Sequence, residues 1–376
     1  MQKIIFYSLD AAPLFDESIK TAIGGAEIRM FNFAKYLACN GYKVYIIVSE
    51  LTKETTINEK VSIRSVNYFK KKVPFLLKVK AKLYFLWKYK NKVSYQEFSK
   101  NSELFLIRPQ HICVFGITGN SHNISKISKK IGSKLDLFIA SDEEINFQNE
   151  HSKLTKLNTS FSLAQNLLNL ADNIFVQNSN QKKILSEVFK VESHLLLNPI
   201  NLSEKFSGQV QDYILWVGKS SSYKNPILFE QIAGLFKNHK FLMICNKADS
   251  DLYEEVNKNL PQNCRLLEHV SAGEIELYFN NCKLFINTSE FEGFPNTFLQ
   301  AAKYGKPIIS YKVNPNNFIT ENNCGTFCNG KTEEVISALT ELLNDDKVYA
   351  LKSQNALLSV KKHDIEKVGK SLMEFF

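Results

Sequence analysis

The chain contains no apolar run of the 18 or more residues that a membrane-crossing helix needs, so no transmembrane segment is expected. Its start, MQKIIFYSLD, lacks both a long apolar region and a small-residue cleavage site, and reads as a first strand rather than a signal peptide. Cysteine is sparse: seven in 376 residues, at 39, 113, 245, 264, 282, 324 and 328. The number is odd and no pair has CxxC spacing, not even Cys324 and Cys328, which excludes a disulfide framework and fits reduced thiols in a cytoplasmic protein. Seven histidines form no HxH or HExxH pattern, which removes the common zinc signatures. A GxGxxG fingerprint is missing, and so is any internal repeat of solenoid period. Acidic residues are absent between Lys70 and Lys92.

What is present fits a globular chain, with 44% apolar residues and a length that suits two domains rather than one core. The net charge of +9 is local. Nine lysines (70, 71, 72, 78, 80, 82, 88, 90 and 92) fall in the acid-free stretch, so the rest of the chain is near neutral. One patch argues for a specific anionic surface and against general nucleic-acid coating. No nucleic-acid reading module is recognisable.

Along the chain, short β-branched runs alternate with helical patterns. KIIFYSL leads through a glycine loop into AEIRMFNFAKYLACNG and then KVYIIVS, a βαβ unit. Ile28, Phe31, Ala34, Tyr36 and Leu37 follow the helical period, and Gly41 caps the helix. HICVFGI, LDLFIAS, NIFVQNS and SHLLLNP continue the series. After about residue 205 it restarts with YILWVGK, KFLMICN, CRLLEHV, KLFINTS and PIISYKV, and the segment from about 333 reads as helices. Strands alternating with helices make parallel sheets covered on both faces. Two series predict two Rossmann-like domains, 1–202 and 203–376, joined near 199–206, with a last helix at about 358–376 packing back on the first domain.

Three βα turns carry chemistry. TAIGGAE places Gly24 and Gly25 between a strand and a helix, where the backbone can approach a ligand and the helix N-terminus can take an anion; an ordinary flexible turn reads the same way. YILWVGKSSSYKN ends a buried strand in Gly218, with Lys219 and Lys224 following; two ammonium groups there suit a diphosphate, and equally an exposed loop. SEFEGFPNTFLQAAKYGKPIIS is the most specific. Pro295 suits a first helical turn, Gly305 the end of that helix, and Pro307 forbids its continuation. Asn296 and Thr297 then stand at the helix N-terminus, Gln300 about a turn further in, and Glu292 just ahead.

This last segment resembles the family-4 retaining glycosyltransferases of GT-B fold, whose hallmark is a Glu, seven residues and a second Glu in an EGFG or EGFP context followed by a helix and GxP. Glu292 matches the first Glu, and Gly293, Phe294, Pro295, Asn296, Gly305 and Pro307 match around it. Gly218, Lys219 and Lys224 match the family's diphosphate-binding positions, and Gly24 and Gly25 its N-domain glycine loop. ADNIFVQNSNQKKIL and LNPINL resemble the end of its N-domain. Two departures stand out. Gln300 replaces the second Glu, which in the family holds ribose hydroxyls; an amide accepts without charge assistance. The family's N-domain histidine has no counterpart, since Ser141 and Asp142 occupy its place; His122, read as a loop residue, is the nearest acceptor-side substitute.

The resemblance implies two Rossmann-like domains facing each other across a cleft, and transfer of a hexose-type sugar from a UDP- or GDP-linked donor with retention. It implies no cofactor and no metal, and neither ASDEE nor LNDDK is a DxD motif. Glu292 would contact the donor sugar. Lys219, Lys224 and the helix start at Asn296 and Thr297 would stabilise the leaving diphosphate. A glycan or lipid-linked acceptor of cell-surface polysaccharide synthesis is expected. The patch Lys70–Lys92, with its interleaved Phe, Leu, Tyr and Trp, is read as contacting the inner face of an anionic cytoplasmic membrane, against the alternative of a solvated helix whose lysines snorkel over the core. Gln300 and the missing histidine leave open a non-catalytic nucleotide-sugar-binding or scaffold protein of the same fold. An epimerase would need acid and base side chains that the sequence does not reveal.

Overall fold

The structure is a computed structural model and describes residues 1–16, 18–19, 21, 23–49, 51, 55–57, 60–66, 75–89, 91–147, 159–203, 211–271 and 273–376. Two compact units are present. The first comprises Met1–Ile19, Ile23–Leu196 and Gly369–Phe376, and the second runs over Leu197–Val368. Of the expected junction, 204–206 lie outside the described residues.

In the first unit, strands β1 (Lys3–Tyr7), β2 (Lys43–Val48), β3 (Thr55–Ile57), β4 (Val61–Ser65), β5 (His111–Phe115), β6 (Lys134–Phe138), β7 (Asn173–Val176) and β8 (His194–Leu195) form one sheet in the order β3-β4-β2-β1-β5-β6-β7-β8. All pairs are parallel except β3 with β4. β1 lies between β2 and β5, with Ile5 opposite Tyr45 on one side and Ile112 on the other. Its Ile4, Ile5 and Phe6 are wholly buried, as a parallel strand covered on both faces requires. Helix α1 (Gly25–Cys39) crosses back from β1 to β2. Ala34, Tyr36 and Leu37 are buried as expected, and Met30 and Phe33 complete the core face in place of Ile28 and Phe31. Ile28 and Phe31 are only half-buried, and Phe31 packs edge-on against Phe15. Arg29, also fully buried, donates to the carbonyls of Ile139 and Leu196, and burial lowers its pKa to about 9. The residues Gly369–Phe376 belong to this unit. Gly369 lies against the Tyr36 ring, where any side chain would collide. Phe375 meets Phe175 edge-on with centroids 5.0 Å apart, and Phe376 lies 4.6 Å from the His111 ring.

In the second unit, β9 (Tyr213–Lys219), β10 (Lys240–Asn246), β11 (Cys264–Leu267), β12 (Leu284–Asn287), β13 (Ile308–Ser310) and β14 (Gly325–Phe327) form a parallel sheet in the order β11-β10-β9-β12-β13-β14. One face packs on Phe279, Phe298, Leu299 and Phe318, the other on Phe229, Ile232, Val335 and Leu339. Both sheets are open α/β sheets whose strand order reverses once, between β1 and β5 in the first and between β9 and β12 in the second. At such a reversal the connecting helices leave on opposite faces, and a crevice opens beyond the strands' C-terminal ends.

Candidate functional site

The reversal in the second sheet gathers the predicted donor residues. β9 ends in Gly218 and Lys219, and β12 in Asn287, which Thr288 and Ser289 follow. Gly218 is required by packing: a Cβ there would come within 2.6 Å of the Trp216 indole. That indole donates from Nε1 to Thr288 Oγ1 at 2.8 Å, and Thr288 in turn donates to the Lys224 carbonyl at 2.8 Å. The Glu290 amide donates to the Tyr223 carbonyl, and the rings of Tyr223 and Phe291 stack with centroids 4.9 Å apart. The turn after β9 is thus fastened at several points to the loop after β12. Asn225 ends the turn in a left-handed conformation and caps the helix Pro226–Leu235.

This fastening brings Lys224 and Glu292 together. Nζ of Lys224 lies 2.6 Å from Oε1 of Glu292, with the two side chains only 18% and 14% exposed. The same oxygen accepts from Ser289 Oγ at 2.8 Å and from Asn287 Nδ2 at 3.2 Å. Charge-assisted bonds to one oxygen fix the carboxylate's orientation. Lys219 lies beside Lys224, each ammonium within 6 Å of the Tyr223 ring centroid. Glu290, the other carboxylate of SEFEGFP, turns away to Lys312 at 2.9 Å.

Helix α2 (Asn296–Lys303) starts one residue later than expected. Pro295 is its N-cap and offers no side-chain acceptor to the first turn, where Asn296 and Thr297 stand. The Asn296 side chain is structural, since its Oδ1 accepts from Asn198 Nδ2, which also donates to the Phe294 carbonyl. Asn198 in turn accepts at its carbonyl from the buried His363 Nδ1 at 2.9 Å; burial pushes the His363 pKa down to about 4. At the far end Gly305 takes the left-handed conformation (φ +64°) that closes the helix. Gln300 donates to Oε1 of Glu276 at 3.0 Å.

In the first unit, Gly24 is the N-cap of α1 and Gly25 its first residue, after β1. His122 corrects the loop expectation. It sits in the first turns of helix α3 (Gly119–Ile131), which follows β5 and is capped by Thr118. The Gly24–Gly25 and Gly119–His122 segments therefore flank the reversal in the first sheet. Burial and Lys126 lower the His122 pKa. Ser141 follows β6 and caps a short 3-10 turn. Asp142 is engaged by Asn178, Asn180 and Gln181, although burial still raises its pKa. A further carboxyl, Glu144, is buried beneath this loop, accepts from the Ala140 amide at 3.1 Å, and is pushed by burial to a pKa of about 7. Among the described residues no three His, Cys, Asp or Glu side chains gather as a metal site would require.

Sequence reading missed Trp216, Asn198, Glu276, Asn287, Thr288 and Ser289. The last three were visible as polar residues closing an apolar strand, a usual mark of a ligand-facing strand end. The others act through contacts across 65 or more positions or between neighbouring helices.

The basic patch has two faces. Lys70, Lys71, Lys72 and Lys90 lie outside the described residues. Helix α4 of the first unit (Phe75–Lys88) buries only Ala81 and Phe85. At about 100° per residue, Leu76, Val79, Leu83, Leu86 and Trp87 share the opposite face, and they are exposed, Leu76 at 75% and Trp87 at 79%. Lys80 and Lys82 flank that stripe. A helix with apolar residues on two opposite sides has a weak net moment, and that concealed the stripe. No helix among the described residues is long and apolar enough to cross a membrane.

Together these features define an open α/β chain with a cation–carboxylate pair and a helix N-terminus at the switch point of its second sheet. Residues 211–345 match the family of glycosyl transferases group 1. The matched stretch falls within the second unit, and the chain as a whole has the GT-B fold. An uncharacterized glycosyltransferase of Haemophilus influenzae is 24% identical over 198 residues, 52% of this chain and 52% of that protein. Alpha-monoglucosyldiacylglycerol synthase of Acholeplasma laidlawii is 26% identical over 139 residues, 36% of this chain and 35% of that protein. The chain thus spans about half the length, or less, of these curated relatives. A TarM variant of S. aureus, solved with fondaparinux, alpha-GlcNAc-glycerol and UDP, superposes with a TM-score of 0.74 at 12% identity, over 100% of this chain and 99% of that one.

Proposed function

We propose that the chain is a retaining glycosyltransferase that moves a hexose-type sugar from a nucleoside-diphosphate sugar to a glycan or lipid-linked acceptor of the cell surface. The observation that carries this reading is the Lys224–Glu292 pair, held by Ser289 and Asn287 in the loop that leads into α2. Glu292 would accept from sugar hydroxyls. Lys219, Lys224 and the N–H groups of Asn296 and Thr297 would balance the charge that grows on the departing diphosphate, without a metal. The bond from the anomeric carbon to the diphosphate oxygen breaks as a bond to the acceptor oxygen forms on the same face. The acceptor's proton passes to the leaving diphosphate, so no side-chain base is required, which suits the absent N-domain histidine.

The stripe on α4, flanked by lysines and carrying an exposed Trp, suits the headgroup region of an anionic membrane. It supports a lipid-linked acceptor at the inner face of the cytoplasmic membrane. The glycolipid-synthase relative points the same way.

A thermal-shift panel with UDP, GDP and ADP, without added metal, tests the donor site. A ligand at about 100 times its Kd stabilises the native state by about 2.7 kcal/mol. A shift with one nucleotide, followed by turnover of its sugars that Glu292→Ala abolishes, is the expected result. Binding without turnover to any acceptor would favour the scaffold reading, and no shift at all would remove the donor site.

A further inference from the structure

The surroundings of Gln300 account for its presence where a carboxylate would be expected. Gln300, Lys303 and Tyr304 lie on successive turns of α2 and its cap, at the i, i+3, i+4 spacing that brings side chains to one face. All three converge on Glu276, from the preceding helix Ile275–Asn281. Oε2 of Glu276 accepts from Lys303 Nζ at 2.9 Å and from the Tyr304 hydroxyl at 2.8 Å, while Oε1 accepts from Gln300 Nε2 at 3.0 Å. Lys303 and Glu276 are only 5% and 17% exposed.

An ionised carboxylate only accepts, so the Gln300 amide must turn its NH₂ toward Glu276. Its carbonyl oxygen is then the group it presents elsewhere, and the neighbouring negative charge polarises that oxygen into a stronger acceptor. A glutamate at 300 would put two carboxylates about 3 Å apart, an arrangement that forces one to stay protonated.

We propose that Glu276 is a positioning residue of the donor site: it fixes Gln300 as a hydrogen-bond acceptor for the ribose hydroxyls of the nucleotide, with the carboxylate placed one residue behind the contact. This rests on the donor-site reading given above. The replacement of the second motif Glu is then a rearrangement of a carboxylate and an amide, and the grip on ribose is kept.

The test measures affinities of the purified full chain for UDP, GDP and ADP and for the 2′-deoxy and 3′-deoxy form of whichever binds. Thermal melts of each free variant check folding. In Glu276→Gln either amide can face either way, and preference for the ribose over its deoxy forms is expected to fall about three- to tenfold. Gln300→Glu alone is expected to weaken binding of the ribonucleotide. The exchanged pair, Glu276→Gln with Gln300→Glu, restores one donor and one carboxylate and is expected to regain both affinity and discrimination. A purely structural Glu276 would alter stability or all affinities together and leave the ratio unchanged. An unchanged ratio in Glu276→Gln, or a Gln300→Glu variant that binds as well as the exchanged pair, overturns the proposal while the donor site stands. If the unaltered chain binds no nucleotide, the donor-site reading fails and the proposal falls with it.

Discussion

Replacing Glu292 by Gln separates what the carboxylate does for the fold from what it does for the reaction. The amide has the same shape, so Ser289 and Asn287 keep an acceptor. What disappears is the charge opposite Lys224, whose ammonium lies 2.6 Å away in a setting where neither side chain is more than a fifth exposed. An exposed pair is worth about 0–1 kcal/mol, and a fully buried pair broken from one side costs about 3–5 kcal/mol. This half-shielded pair falls between, at about 2 kcal/mol. For a domain of this size that lowers Tm by about 4–8 °C. In a double-mutant cycle with Lys224→Met, the pair should show a coupling of about 2 kcal/mol, because the double variant leaves no orphaned charge. Nucleotide binding should go the other way. With Lys224 released from Glu292, UDP or GDP should bind as well or more tightly, while turnover of the matching sugar nucleotide falls by about 100-fold or more. Melting curves, the cycle and a turnover assay together decide. Additive effects in the cycle, within about 0.5 kcal/mol, would show that the pair does not form in solution, and unchanged turnover would remove Glu292 from the site.

Other perturbations follow from the packing. Gly218→Ala drives a methyl into the Trp216 indole and should cost about 1–3 kcal/mol in a chemical melt; a neutral result would mean that the indole is free to move. Leu83→Glu with Trp87→Glu should abolish co-sedimentation with phosphatidylglycerol vesicles and leave Tm unchanged, since both residues are exposed; retained binding would refute the role of the stripe. His363 has a folded pKa of about 4, below its ordinary value, so its neutral form stabilises the fold above about pH 6.5. That contribution, about 3 kcal/mol, drains away as pH falls toward 4, and the acid limb should flatten in His363→Gln. Glu144 acts in the opposite direction. Its pKa is raised to about 7, so its stabilising contribution is complete below about pH 4.5 and is lost as pH rises through 7. A Glu144→Gln chain should therefore lose less stability than the parent between pH 5 and 8.

The central strands were legible because a parallel strand buried on both faces must be apolar throughout, as KIIFY and KFLMICN are. β4 was not, because VSIRS alternates buried and half-exposed residues near the sheet's edge. β3 and β14 are three residues long and too short to carry a pattern. At the site, Gly218, Lys224 and Glu292 could be named because their types and spacing are tied to local turns. The reason Lys224 meets Glu292 could not be read, since it runs through Trp216 and Thr288, 72 positions apart. Gln300 looked like a deficit in the sequence because Glu276, its partner, lies 24 positions upstream on another helix.

The return of Gly369–Phe376 to the first unit bears on how the chain is made. Phe375 and Phe376 pack on rings from β5 and β7, yet they leave the ribosome after the whole of Leu197–Val368. At about 5–20 residues per second, the first sheet waits about ten to thirty seconds for its last two aromatic side chains. During that interval the Phe175 ring and the Tyr36 side of α1 lack their cover, a surface for a chaperone to hold. Deletion of Gly369–Phe376 would disturb the domain built first.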